Sequence, residues 1–170
     1  KFVMNGALII GTMDGANVEI AEEIGEQNMF IFGERVDGVN KIRKELYEGK
    51  RGYVGGRLAK VFKAISDGLF GDVSIMDPII HSLCNGSDHY IVCFDFYAYI
   101  DAQNKVDETY RDYNKWTKMA IEGLAKSGKF SSDRTISEYC TEIWDIEAVP
   151  IPHPTTDPTA RQRSFANLVE

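Results

Sequence analysis

Residues 7–10 (ALII) form a short apolar run that stops at Gly11, and residues 11–15 (GTMDG) carry turn chemistry. The turn holds two glycines and Asp14, whose carboxylate can accept from nearby backbone N–H groups. In ANVEIAEEIG, which follows, Val18, Ala21 and Ile24 share one helical face, Glu19, Glu22 and Glu23 lie elsewhere, and Gly25 supplies a stop. A second apolar run, MFIFG at 29–33, again ends on glycine. Strand, turn, helix, strand predicts a βαβ unit, hence a parallel pair with a crossover helix.

Beyond Gly33 the pattern changes. Residues 38–56 are polar and Gly-rich around an amphipathic stretch at 39–46. Leu58, Val61, Phe62, Ile65 and Leu69 recur at helical spacing, and Ile75, Met76, Ile79, Ile80 and Leu83 predict another helix whose start Pro78 blurs. HYIVCF at 89–94 has the composition of a strand, and DFYAYIDAQNKV at 95–106 that of a helix. Trp116, Met119, Ala120 and Leu124 share a face that Gly128 would cap. Ile136, Tyr139, Cys140, Ile143 and Trp144 stay in helical phase, with Ser131, Ser132 and Asp133 as N-caps. All but one of the five prolines fall after residue 148, predicting one domain over 1–150 and an extended, flexible tail over 151–170. The fold class expected is α/β, helix-rich after its first βαβ unit. Two or three strands leave a parallel sheet with bare edges, so the chain is expected to be the C-terminal part of something larger.

Charge and composition narrow the function classes. A net charge of −7 on 170 residues leaves no basic footprint for nucleic acid or an anionic membrane, although a local site could still hold an anion. The apolar runs are too short to span a bilayer, and no secretory signal opens the chain. Cys84, Cys93 and Cys140 are scattered, without CxxC or histidines at metal-ligand spacing. Reduced thiols, a cytoplasmic location and no metal are the expectations.

On composition alone little chemistry stands out. GTMDGAN lies between a strand and a helix, where α/β proteins hold phosphates, but it lacks both G-x-G-x-x-G and the P-loop lysine, so a tight turn is the simpler reading. His81, His89 and His153 form no triad with a nucleophile, the Glu19–Glu26 cluster reads as a solvated helix face, and Trp116 and Trp144 read as core. SGKFSSDRT at 127–135 reads as a helix cap rather than an anion grip.

Two longer patterns carry more. Residues 1–26, KFVMNGALIIGTMDGANVEIAEEIGE, resemble the segment of the α-glucan phosphorylases (glycogen, starch and maltodextrin phosphorylases) that begins at their pyridoxal phosphate lysine. Lys1, Phe2, Asn5, Gly6, Ala7 and Leu8, then Gly11, Thr12, Asp14, Gly15, Ala16, Asn17, Val18 and Glu19, keep that family's order and spacing. SGKFSSDRTISEYCTEIWDIEAV is similar to the family's last long helical region, and FIFG at 30–33 and the Trp116 helix also fit. The resemblance covers residues 1–150 with a looser middle at 38–90; 151–170 have no counterpart.

The resemblance implies the C-terminal part of a Rossmann-like lobe in a two-lobed (GT-B type) glycosyltransferase. It implies reversible phosphorolysis of α-1,4-glucan ends by inorganic phosphate to glucose 1-phosphate, with retention. Lys1 would carry pyridoxal 5′-phosphate as a Schiff base, and the cofactor's phosphate, with a pKa near neutrality, would serve as acid/base group. Thr12, Asp14 and Asn17 would shape the region near the cofactor without taking part in catalysis. A homodimer is usual for the family. The isolated 170-residue piece is expected to be inactive. The alternatives are a non-catalytic scaffold of phosphorylase fold and, with no glycine fingerprint to support it, a dinucleotide-binding enzyme.

Overall fold

Residues 1–50, 54–84, 88–147 and 149 are described by the computed structural model. Strand β1 (Ile10–Gly11) and strand β2 (Phe30–Ile31) run parallel, with Ile10 opposite Phe30 and Gly11 opposite Ile31. The Phe30 N–H donates to the Ile9 carbonyl at 2.8 Å and the Phe32 N–H to that of Gly11 at 3.1 Å. Helix α1 (Ala16–Ile24) makes the crossover and ends where the Gly25 N–H donates to the Ala21 carbonyl, with Gly25 at a φ of 87°. The βαβ reading therefore holds. The strand expected over 7–10 is displaced: the ladder takes Ile10 and Gly11, while the Ala7 N–H turns back to the Phe2 carbonyl at 3.1 Å.

Ala21, Ile24 and Met29 form a buried cluster, against which Ile9, Met13, Ile20 and Ile31 pack. Burying a side chain such as Ile24 contributes about 1.5–3 kcal/mol. Helix α2 spans Val36–Tyr47, α3 Gly56–Ser66, α4 Val73–Cys84, α5 Val92–Arg111 and α6 Tyr113–Lys126. Leu69 falls past the end of α3, where the periodic pattern had included it. Pro78 lies inside α4, and Asp72 caps that helix through bonds from the Ser74 N–H and hydroxyl. Those bonds hold the Asp72 carboxyl below its ordinary pKa.

The largest correction concerns 89–94. Those residues form no strand; they divide between a turn and the first turn of α5. The reason is Asp88, whose backbone carbonyl accepts the Ile91 N–H and whose carboxylate accepts those of Val92 at 2.9 Å and Cys93 at 2.8 Å. Three N–H groups of the helix entry are thereby satisfied by one residue.

Helix α6 packs over α1 and over a 3-10 turn at Val3–Asn5. Its Gly123 permits the approach, since a Cβ there would stand 3.2 Å from Val3 Cγ1. Trp116 of α6 stacks on Phe30 at 6.3 Å and meets Tyr110 edge-on at 5.0 Å, half-buried where the sequence suggested core. Ser127, not Gly128, caps α6, and a 3-10 turn follows over Ser127–Phe130.

The chain divides into two compact units, one ending at Lys129 and one beginning at Phe130. In the second, α7 (Ser132–Tyr139) passes into a π-turn at Cys140–Trp144, so the helical phase expected to run through Trp144 is broken. Ser131 occupies the N-cap position, but its side chain makes no cap bond. Trp144 packs edge-on to Tyr139 at 5.6 Å and stays exposed, contrary to the core position expected of it. The tail expected at 151–170 lies outside the described residues. Among the described residues no helix is long and apolar enough to cross a membrane.

Candidate functional site

Lys1 sits at the mouth of the 3-10 turn. Its carbonyl accepts the Asn5 side-chain amide at 2.9 Å, and the Phe2 carbonyl accepts the N–H groups of Asn5 and Ala7. Gly6, at a φ of 79°, lets the chain reverse into the approach to β1. The Lys1 backbone is thus fixed while its side chain is exposed, and among the described residues nothing pairs with its ammonium group. An unpaired, accessible primary amine is the donor that condensation with an aldehyde requires, so Lys1 fits the attachment of an aldehyde cofactor. Residues 2–6 bring no second cation for a phosphate.

Thr12, Asp14 and Asn17 form their own cluster beyond the other end of β1. The Thr12 hydroxyl donates to the Asp14 carboxylate at 3.0 Å, and the Asn17 amide donates to the Thr12 carbonyl at 3.0 Å. The Asp14 carboxylate thus takes a hydroxyl where backbone N–H groups had been expected, while its carbonyl accepts the Asn17 N–H. Gly11 leaves room for the Asn17 amide, which a Cβ there would meet at 2.6 Å and push aside. No hydrogen bond joins this cluster to Lys1; the run from Ala7 to Gly11 lies between them.

The structure adds a crevice that sequence reasoning missed. It opens past the C-terminal ends of β1 and β2, lined on its polar side by Thr12, Asp14, Glu34, Asn40, Arg43 and Asp95. A contiguous apolar side of about 430 Å³ is walled by Phe32, Tyr90, Val92, Phe96 and Tyr99. Gly33, at a φ of 75°, brings the strand exit against Asp95, whose Oδ1 accepts the Glu34 N–H at 3.3 Å. Burial pushes the Asp95 carboxyl above its ordinary pKa, outweighing that bond, and the Glu34 and Asp88 charges add to the rise. Arg43 is turned toward the crevice rim by its Nε bond to the His89 carbonyl at 2.8 Å. Behind it Ile91 is 2% exposed and adopts a φ of 51° and ψ of 31°. For a β-branched residue this left-handed geometry costs about 1–3 kcal/mol, which the three Asp88 contacts and the buried side chain offset.

His81 and His89 are exposed, and among the described residues no cluster of histidine, cysteine and carboxylates is arranged to hold a metal. The described cysteines are all free; burial pushes the Cys93 thiol up to about 12 and that of Cys84 up as well.

A small parallel sheet crossed over by α1, with α6 packed against that helix, defines an α/β protein. The family model for carbohydrate phosphorylases matches residues 1–146, and the chain belongs to that family. It is 47% identical over 165 residues to glycogen phosphorylase 2 of Dictyostelium discoideum, covering 97% of this chain and 16% of that protein, so the match reaches past residue 150, where no counterpart was expected. It is 48% identical over 157 residues to the cytosolic alpha-glucan phosphorylase 2 of Arabidopsis thaliana, and 48% identical over 154 residues to the glycogen phosphorylase of a Synechocystis species. Each match covers 89% of this chain and 18% of the relative, so the chain spans less than a fifth of the relatives' length.

Proposed function

We propose that this chain is the cofactor-bearing part of the C-terminal, Rossmann-like lobe of a two-lobed (GT-B type) α-glucan phosphorylase, with residues 1–150 as its folded portion. The whole protein would exchange an α-1,4-glucan chain end and inorganic phosphate for glucose 1-phosphate and a shortened glucan. Pyridoxal 5′-phosphate would be held covalently through Lys1 and, when bound, would supply a phosphate acid/base group poised near neutral pH. This chain's own part is mechanical. Asn5 and the Phe2 carbonyl fix the Lys1 backbone, and Gly123 lets α6 clamp the turn from behind. Thr12, Asp14 and Asn17 lock the turn that follows β1 and take no part in the chemistry.

The observation that carries this reading is the family match over residues 1–146, within which Lys1 belongs to a turn anchored by the Asn5 side chain. A cytoplasmic location is part of the same reading, supported by the cytosolic relative and the scattered free thiols, and a homodimer is what the family resemblance implies. The non-catalytic alternative has no observation in its favour. The 170-residue chain by itself is expected to form no glucose 1-phosphate.

The deciding experiment is borohydride reduction of the protein as its source makes it, then digestion and mass spectrometry of the peptide carrying Lys1. A phosphopyridoxyl adduct on Lys1 is expected. An unmodified Lys1 in cofactor-replete protein would overturn the assignment.

A further inference from the structure

The crevice past β1 and β2 is separate from the Lys1 turn and is left without a task by the function proposed above. Its position, outside the carboxyl ends of parallel strands, is where open α/β sheets bind ligands. Its apolar side of about 430 Å³ lies within the roughly 300–1,000 Å³ usual for ligand sites. Thr12, Tyr90 and Asp95 border both the apolar and the polar side, so a ligand seated there would touch rings and carboxylates at once.

We propose that this crevice binds a segment of α-1,4-glucan, at a site additional to the one served by Lys1. The ligand's linkage rests on the function proposed above; its chemical class follows from the walls. Tyr90 is 77% exposed and Tyr99 39%, and both border the apolar side. Open aromatic faces suit the C–H face of a pyranose ring, and phenolic hydroxyls suit its edge. Asp14, Glu34 and Asp95 present acceptors for sugar hydroxyls, and Asn40 adds both a donor and an acceptor. Three carboxylates against the single guanidinium of Arg43, whose Nε is already engaged, repel an anion and favour a neutral polyol.

The strained backbone points the same way. Ile91 is held in its left-handed geometry by Asp88, and this sets Tyr90 outward at the rim with the His89 ring edge-on to it at 5.0 Å and 88°. Strain of this kind persists where the surroundings over-determine it, commonly at ligand clamps. Here its product is a solvent-facing ring at the mouth of a crevice.

Hydrogen–deuterium exchange of the protein as its source makes it, titrated with maltoheptaose, tests the proposal. Saturable protection is expected in the peptides spanning 32–43 and 88–99. Tyr90→Ala should raise the half-protecting concentration at least tenfold, Tyr90→Phe should raise it less than threefold, and Asp95→Asn should weaken binding with exchange elsewhere unchanged. No protection in those peptides at saturating maltoheptaose, unchanged binding by Tyr90→Ala, or equal protection by cellohexaose would overturn it. Protection with an unmodified Lys1 would sink the proposed function and leave this site standing; a Lys1 adduct without protection would do the reverse.

Discussion

Asp88 holds the N–H of Cys93 at 2.8 Å in a place where both residues are only 1% exposed. The same carboxylate takes the Val92 N–H, so the entry of α5 depends on one side chain. Replacing Asp88 with alanine would strand buried donors, each costing about 1–3 kcal/mol. Asp88→Ala is expected to lower the urea midpoint by the equivalent of at least 2 kcal/mol, and Asp88→Asn, which keeps one acceptor, by less. Equilibrium unfolding followed by circular dichroism measures both.

Cys93 is expected to be inert in the folded chain. With its thiol pushed up to about 12, the thiolate fraction at pH 8 is about one in ten thousand. Iodoacetamide at pH 8 should label Cys93 last, at a rate set by unfolding, which peptide mapping over time would reveal. The linkage has a definite sign. An ordinary thiol ionises near 8.5, so above that pH the unfolded chain loses a proton that the folded chain keeps. Stability should therefore fall as pH rises from about 8.5 toward 12, and Cys93→Ser should flatten part of that slope.

Asp95 carries a raised carboxyl pKa because it is partly buried beside Glu34 and Asp88. Between the ordinary carboxylate value and the raised one the folded state holds the extra proton, so stability falls as pH rises through that window. Asp95→Asn is thus expected to be more stable than the parent at pH 7 and to lose its advantage below the ordinary carboxylate pKa. Melting temperatures at pH 7 and pH 3 give the answer; a variant less stable than the parent at pH 7 would refute the argument.

Gly33 meets two constraints that can be separated. Its φ of 75° disfavours any side chain, and a Cβ would stand 2.5 Å from Asp95 Oδ2. Gly33→Ala should cost more than the roughly 1–2 kcal/mol of a left-handed alanine. In an Asp95→Ala background the cost should shrink to about that value. A double-mutant cycle by urea unfolding measures the difference.

Sequence alone was informative where the signal was local. Gly11, Gly15 and Gly25 punctuate residues 1–33 so sharply that strand, turn, helix and strand follow from spacing. Residues 89–94 misled because tyrosine, isoleucine, valine and phenylalanine favour strands, and the deciding contact lies in Asp88 just before them. An Asp preceding an apolar run was the available cue. Lys1 stood out only through resemblance, since nothing in its neighbours' chemistry marks an attachment point. The crevice was illegible for a different reason: Thr12, Glu34, Arg43, Tyr90 and Asp95 come from segments far apart in the chain, and no periodicity links them.

Ile91 makes contradictory demands on its own identity. Its backbone angles suit glycine or asparagine, whereas its nearly sealed surroundings require a branched hydrocarbon. Glycine would relax the chain and open a void; asparagine would bury an amide; leucine would keep the strain and alter the shape. Each of these single substitutions therefore exchanges one cost for another, and the residue that fits the sealed pocket is the one that strains the turn.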